Sequence, residues 1–175
     1  MLTGENIRLR AMEPADLEQM YLWENDTALW EVGDTAAPFS RELLSRFIEA
    51  SSTDIYAARQ LRLIIELTAM GEAIGAIDLF DFNPVSRKAA VGILIYGVPH
   101  RGKGYGKEAL GLLADYGSSR LSLHQLYAYV PAGNRASVAL FTSAGFTQSG
   151  LLKDWIAGVD GQWKDALMMQ FVFDK

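Results

Sequence analysis

Three glycines at every second position lie in a basic segment near the middle of the chain. The segment reads Arg101-Gly102-Lys103-Gly104-Tyr105-Gly106-Lys107, and it follows the apolar run Val91–Tyr96. Residues at helical spacing come after it, so the pattern predicts a strand, a tight loop and a helix start. Such a junction directs several backbone N–H groups and the positive end of a helix dipole at one point. The segment therefore predicts a binding site for an anion such as a pyrophosphate.

The spacing excludes two common phosphate-binding fingerprints. No Lys-Ser or Lys-Thr pair follows the glycines, as a Walker A loop requires, and the glycines are too closely spaced for a dinucleotide-binding loop. On the loop alone, an anion site and a structural turn both stay open.

Two carboxylates, Asp78 and Asp81, occur in the apolar run Ile74–Phe82. Burial raises the pKa of a carboxyl group, which would make Asp78 a candidate general base. Residues three apart point to opposite faces of a regular strand, so the two cannot act together unless a bulge intervenes. The alternative is that these carboxylates cap the turn at Asn83-Pro84 or pair with Arg87.

The glycine segment fits the pattern Arg/Gln-x-x-Gly-x-Gly/Ala, and about thirty residues later come Asn134-Arg135-Ala136-Ser137 and Ala144-Gly145-Phe146. In this order and spacing, the two motifs resemble the acetyl-coenzyme A loop and the Asn-x-x-Ser…Gly-Phe segment of the GCN5-related N-acetyltransferases (GNAT). The resemblance covers nearly the whole chain. It is closest to the branch that holds ribosomal-protein alanine acetyltransferases and bacterial spermidine N-acetyltransferases.

The resemblance implies acetyl-CoA as co-substrate. It assigns the coenzyme to one strand end, the glycine loop and two helix starts, namely Leu94, Ile95, Tyr96, Arg101, Gly102, Lys103, Gly104, Tyr105, Gly106, Lys107, Asn134 and Ser137. Backbone groups of Leu94 and Tyr96 would pair with the pantetheine arm, and one of their N–H groups would polarise the thioester carbonyl. The alternative for Asn134 is a plain helix N-cap.

The resemblance also implies direct attack by an amine within a ternary complex. Asp78 is the expected base, since the spermidine branch has a carboxylate at the matching position. Many relatives use a tyrosine to protonate the leaving thiolate, but this chain has Phe141 there. We therefore expect Tyr96, Tyr127 or Tyr129 to serve, or water to help the thiolate leave.

The acceptor is expected to be a polyamine such as spermidine, or a peptide or protein N-terminal amine. Trp30, Glu31, Asp34 and Trp155, together with Asp78, would supply an acidic and aromatic lining. A solvated loop with an anchoring tryptophan is the alternative. Two other functions stay open: a non-catalytic acyl-CoA sensor that lost its acid, and an acyltransferase with another acyl group or acceptor.

The elements that position these residues predict an α/β fold in a single domain, residues 1–175. Helices are expected on both faces of a mixed, mostly antiparallel GNAT-type sheet of about seven strands, splayed between the fourth and fifth strands. The predicted strands are 7–10, 61–67, 73–82, 88–96, 126–130, 146–151 and 163–173. The first main helix is expected to end near residue 27, and the second to start at Ser40. Two further helices are expected to span 104–119 and 134–144.

The composition of the chain argues against several kinds of binding partner. The net charge of −5 argues against a nucleic-acid binder. The chain has no cysteine and two histidines, so no metal site is expected. No apolar stretch is long enough for a membrane span, and the first residues lack the layout of a signal peptide, so we expect a cytoplasmic protein. A homo-oligomer stays open.

Overall fold

The computed structural model describes residues 2–33, 35–51, 54–158 and 160–174. Within these ranges, eight strands form one sheet in the order β1-β2-β3-β4-β5-β6-β8-β7. The strands are β1 Leu2–Thr3, β2 Ile7–Ala11, β3 Leu61–Leu67, β4 Ala73–Asn83, β5 Lys88–Ile95, β6 Gln125–Pro131, β7 Thr147–Ala157 and β8 Trp163–Val172. The helices are α1 Leu17–Glu24, α2 Trp30–Gly33, α3 Arg41–Ala50, α4 Ile55–Ala58, α5 Tyr105–Ser119 and α6 Arg135–Ser143.

The predicted mixed, mostly antiparallel sheet is confirmed, because only β5 and β6 pair in parallel. Four details differ from the prediction. The short strand β1 is an eighth strand, and β7 extends to Ala157. The first helix ends at Glu24, and α2 and α4 are single turns of helix in segments without a predicted helix. None of the described helices is long and apolar enough to cross a membrane.

Alternate residues of the sheet pack against different helices, as the strand period of two requires. On one face Ile77, Leu79 and Leu126 belong to a buried cluster with Leu110 of α5 and Phe141 of α6. On the other face a second cluster forms. Its buried members include Met20 and Trp23 of α1, Leu44 and Ile48 of α3, and Ile64 and Ala76 of the sheet. Helices therefore cover both faces.

The sheet opens between β5 and β6. The parallel pairing covers only Lys88–Ala90 and Gln125–Tyr127. In the described structure, no pairing joins Val91–Ile95 to Ala128–Pro131, and we call the space between these two segments the strand gap. The predicted splay is therefore confirmed, and it leaves backbone groups of both strands free for another molecule.

Strands β4 and β5 approach each other closely where β5 leads toward the glycine loop. Gly75 lies opposite Ile95. A Cβ atom built on Gly75 would lie 2.0 Å from the carbonyl oxygen of Leu94. Because that oxygen belongs to the backbone of a central strand, it cannot move aside cheaply.

We predict that Gly75→Ala lowers the free energy of unfolding by about 3 kcal/mol, because an atom is forced into a packed backbone contact. Chemical denaturation followed by circular dichroism measures the change. Gly111→Ala is the matched control, since Gly111 lies in α5 with no atom within 4 Å of an added Cβ. That substitution should raise the free energy of unfolding by about 0.5–1 kcal/mol. Equal effects at the two positions would contradict this description of β4 and β5.

Candidate active site

Glycines 102 and 104 adopt backbone conformations that other residues avoid. Gly102 has φ 73° and Gly104, the residue that caps α5, has φ 88°. An added Cβ would meet no atom within 4 Å at either position. The conformation, and not crowding inside the protein, therefore requires glycine here.

Six consecutive backbone N–H groups, those of residues 102–107, lie in the glycine loop and the first turn of α5. In the part of the chain that the structure describes, none of these six N–H groups has a hydrogen-bond partner. The first bond of α5 runs from the Glu108 N–H to the Gly104 C=O at 3.0 Å. Lys103 and Lys107 are exposed beside them. Free amides, a helix N-terminus and two lysines are what a diphosphate group needs, as the sequence predicts.

Gly106 has a second role that the sequence did not indicate. It is buried, and an added Cβ would lie 3.1 and 3.2 Å from the two methyl groups of Leu140 in α6. The absence of a side chain at Gly106 therefore lets α5 and α6 pack closely, in addition to leaving its N–H free.

A cavity of about 600 Å³, which we call the cleft, runs from the strand gap to the face covered by α1 and α3. At the gap end it is lined by Leu94, Val130, Pro131, Ser137 and Phe141. At the other end the lining is mostly apolar and aromatic, and includes Trp23, Leu29, Trp30, Phe39, Phe47, Phe80 and Tyr129. Among the described lining residues, only Glu24, Arg62 and Asp78 are charged.

We call these three residues the charged cluster. In it, both carboxylates bind the guanidinium group of Arg62. Arg62 on β3 lies directly opposite Asp78 on β4. Its Nε donates to Asp78 Oδ1 at 2.6 Å and its Nη2 to Oδ2 at 3.2 Å. Its Nη1 donates to Glu24 Oε1 at the end of α1. Asp78 is therefore held by Arg62 and not by Arg87, whose Nε donates to the Ser122 carbonyl at 2.5 Å.

Burial raises the pKa of the Asp78 carboxyl above its ordinary value. The Arg62 guanidinium opposes this shift of the Asp78 pKa, and the Glu24 carboxylate adds to it. A carboxylate in a poorly hydrated cleft is a stronger base than one in water. Asp78 therefore has the environment that the sequence predicted for it.

Asp81 does not join this cluster. A bulge interrupts the β4–β5 pairing between Phe80 and Asn83, and Asp81 has φ 49° there. It is exposed and is not part of the cleft lining. Its charge acts instead on Tyr127, whose pKa is raised by burial and secondarily by Asp81.

Of Tyr129 and Tyr96, it is Tyr129 that belongs to the described cleft lining. Phe141 does line the cleft, packed against Phe146 at a ring distance of 5.0 Å. Tyr129 lines the cleft too, and the strand registers place its side chain on the same face as Asp78. Tyr96 is not among the lining residues described, and its ring packs 6.0 Å from Trp23.

The predicted pairing of Leu94 and Tyr96 backbone groups with the pantetheine arm is corrected. The N–H of Tyr96 donates to the Ile74 carbonyl at 2.8 Å, and the Leu94 carbonyl lies against Gly75, so both groups face β4. Because backbone groups alternate along an antiparallel strand, those of Ile93 and Ile95 face the other way, toward the strand gap. The Ile95 carbonyl accepts a hydrogen bond from Arg101 Nε at 3.2 Å. The Tyr96 N–H is therefore already used and cannot polarise a thioester.

Asn134 is a helix N-cap, the alternative that the sequence left open. Its Oδ1 accepts from the Ser137 N–H at 3.1 Å. Within the described residues its Nδ2 has no partner, so the amide N–H₂ can still contact a ligand. Ser137 itself lines the cleft.

Only some of the residues predicted to bind the acceptor amine lie at the cleft. Trp30 lines the cleft, with its indole N–H donating to the Glu24 carbonyl at 3.0 Å. Trp155 lies beside Tyr129 at a ring distance of 5.8 Å. Glu31 instead forms an ion pair with Lys164, and it is not a described lining residue. Asp34 lies outside the described residues.

Sequence reasoning missed Glu24 and Arg62. The signal for Arg62 was its position in Leu61–Leu67, where it is a charged residue in a mainly apolar strand. A charged residue in such a strand needs a partner on the same face. Nothing local in α1 indicated that Glu24 would reach it.

Comparisons with known proteins agree with this architecture. A family model described as the acetyltransferase (GNAT) domain matches residues 6–147. Spermidine N(1)-acetyltransferase of Escherichia coli K12 is 27% identical over 173 residues, covering 97% of this chain and 87% of the relative.

Two solved structures share the fold. Spermidine N-acetyltransferase from Vibrio cholerae, in complex with CoA and spermine, has a TM-score of 0.85 at 24% identity, covering 97% of this chain and 96% of the other. A dodecameric structure of spermidine N-acetyltransferase from the same organism, in an intermediate state, has a TM-score of 0.78 at 25% identity. That match covers 97% of this chain and 95% of the other.

We predict that Gly104→Val raises the dissociation constant for coenzyme A roughly tenfold or more, because a β-branched residue opposes φ 88° and reorients the free amides. Isothermal titration calorimetry measures the constant. Gly111→Val makes the same change farther along α5, in open space, and should leave the affinity within about twofold of wild type. A Gly104→Val protein that binds like wild type would show that these amides do not hold the diphosphate.

Proposed function

The chain belongs to the GNAT acetyltransferase family, and from this premise we propose that it transfers the acetyl group of acetyl-CoA to a primary amine by direct attack in a ternary complex. The observation that carries the proposal is the cleft, which joins the strand gap to the half-buried carboxylate of Asp78. Donor and acceptor can meet there without a covalent enzyme intermediate.

The donor half of the site is assigned to the loop and the strand gap. The free N–H groups of residues 102–107 would hold the diphosphate, with Arg101, Lys103 and Lys107 adding positive charge. Backbone groups of Ile93 and Ile95 would pair with the pantetheine arm. The Asn134 amide N–H₂ and Ser137 lie on the opposite side of the strand gap. These groups would place the thioester at the gap end of the cleft.

The acceptor half of the site must remove a proton. An alkylamine is mostly protonated at neutral pH and has no free lone pair in that form. In the proposed reaction Asp78 takes one proton from the ammonium group, and the neutral nitrogen then attacks the thioester carbonyl carbon. The C–S bond breaks, and the Tyr129 hydroxyl or water protonates the thiolate. The nitrogen gives its second proton to water, which returns a proton to Tyr129 where that residue was the donor, and Asp78 releases its proton to solvent. A thiol with a pKa near about 8.5 is a tolerable leaving group, so a weak acid suffices.

We propose a polyamine such as spermidine as acceptor. The charged cluster carries one net negative charge, from two carboxylates and one guanidinium, which favours a cationic substrate. The aromatic rings of Trp30, Phe47, Phe80 and Tyr129 line the same end of the cleft, and aromatic faces attract ammonium groups. The relatives named above act on spermidine, which supports the same choice. A peptide N-terminal amine is the second acceptor to compare.

Self-association and a cytoplasmic location are proposed as well. The dodecameric structural relative supports self-association, which sedimentation of the purified protein measures directly.

The proposed activity predicts release of free thiol when the protein is mixed with acetyl-CoA and an accepting amine. A thiol-reactive dye follows the release, and mass spectrometry of the amine should show one added acetyl group. Spermidine, spermine and a peptide with a free N-terminus form the acceptor panel. Tight binding of acetyl-CoA without turnover on any amine would contradict an enzymatic role.

Asp78→Asn should lower kcat/KM by about 10²–10⁴-fold, because the amide cannot accept the proton. Asp81→Asn is the control, since Asp81 is exposed on the same strand and is not a described lining residue. It should leave kcat/KM within about twofold of wild type. The Asp78→Asn penalty should shrink with an O-alkylhydroxylamine, which is already unprotonated at neutral pH. An equal penalty for both nucleophiles would mean that Asp78 is not the base.

A further inference from the structure

Gly92 lies directly opposite Asp78 in the register of β4 and β5. Both residues therefore lie on the same face of the sheet, and Arg62 on β3 completes the row from the other side. Gly92 also belongs to the segment of β5 that borders the strand gap. It stands between the carboxylate and the position proposed for the thioester.

The backbone does not require glycine at this position. Gly92 is not among the glycines with positive φ. An added Cβ would lie 3.5 Å from Phe80 Cε1 and 3.8 Å from Asp78 Oδ2, which are ordinary contacts. A glycine in a strand interior normally weakens the strand, so its presence where alanine fits needs another reason.

The two oxygens of Asp78 differ in how firmly they are held. Oδ1 receives the short bond from Arg62 Nε at 2.6 Å, whereas Oδ2 receives only the longer bond from Nη2 at 3.2 Å. Oδ2 is also the oxygen nearest the space above Gly92. The more weakly held oxygen therefore faces the open side, where a substrate nitrogen would approach.

We propose that Gly92 is a positioning residue: its missing side chain keeps open the passage through which the acceptor amine contacts Asp78 Oδ2 and the thioester together. Asp78, Gly92, Ile93 and Leu94 all line the same cleft, so the passage is continuous from the carboxylate to the strand gap. Arg62 holds the carboxylate from the opposite side and aims Oδ2 at this passage. The inference rests on the proposed amine acetylation.

A side chain at position 92 would act on the amine and not on the coenzyme. The side chain of residue 92 points to the face of Asp78, whereas the glycine loop and α5 are reached from the end of β5 and pack on the other face. A small group there would displace the amine nitrogen by about an ångström, which can reduce the rate about 10²-fold.

The test compares Gly92→Ala and Gly92→Val with the control Gly111→Val. Gly111 is an exposed glycine of α5 with open space around it. We expect kcat/KM for the amine to fall about tenfold in Gly92→Ala and 10²-fold or more in Gly92→Val. The dissociation constant of acetyl-CoA should stay within about twofold of wild type. The melting temperature of Gly92→Ala should not fall, because its added Cβ makes only ordinary contacts and reduces the entropy of the unfolded chain.

The pH profile gives a readout that a merely structural role would not change. The charged groups that face Asp78 are Arg62 from β3 and Glu24 from α1, while the β5 residue opposite it is Gly92. Valine at position 92 would exclude further water from Oδ2 and raise the pKa of Asp78. The acidic limb of kcat/KM should therefore move to higher pH in Gly92→Val, and stay in place in Gly111→Val.

The outcomes separate this inference from the proposed function. A wild-type protein that acetylates an amine, loses this activity in Asp78→Asn and keeps it in Gly92→Val would overturn the role of Gly92 alone. Loss of acetyl-CoA affinity in parallel with activity would also overturn it, because the side chain would then disturb the donor site. Absence of turnover in the wild type would instead reject the proposed function.

Discussion

The end of hydrogen bonding between β5 and β6 is the constraint on which the rest of the site depends. After Ala90 and Tyr127 the two parallel strands separate, and in the described structure the backbone groups of each strand that face the strand gap have no partner strand. Unpaired backbone groups inside a protein are unfavourable unless another molecule pairs with them. The same separation lets the cleft pass through the sheet, so that Ser137 and Phe141 of α6 on one side and Asp78 on the other line one cavity.

In the charged cluster, Asp78 forms an ion pair and still keeps the raised pKa that a general base needs. Taking Asp78 out of water alone would be costly, and Arg62 offsets part of that cost through two hydrogen bonds. Because the Arg62 guanidinium also binds Glu24, its single positive charge is divided between two carboxylates. The result is a carboxyl group whose pKa stays raised by burial although it is paired. For Asp78 to act as the proposed base, its more weakly bound oxygen, Oδ2, must then stay accessible to the substrate.

Local patterns predicted the conformation of the glycine loop and of the Asn134 helix start, and they did not predict the partners of Asp78 and Glu31. The glycine loop, its basic residues and the Asn134 helix start are contiguous in sequence, so their spacing fixes their geometry. The partners of Asp78 depend on the register between β3 and β4 and on the place where α1 ends, neither of which is encoded nearby. The direction of the Tyr96 N–H depends on strand alternation counted from the β4 pairing. Glu31 was predicted to bind substrate because it is acidic, but Lys164, 133 residues away, already pairs with it.

The most direct measurement is amide NMR of the protein titrated with coenzyme A, with pantetheine as the comparison ligand. If the free amides hold the diphosphate, the N–H resonances of residues 102–107 should shift strongly and exchange with solvent more slowly when coenzyme A binds. Pantetheine, which lacks the diphosphate, should perturb Ile93 and Ile95 while leaving those six resonances nearly unchanged. Saturable binding of coenzyme A without any change at residues 102–107 would contradict the account.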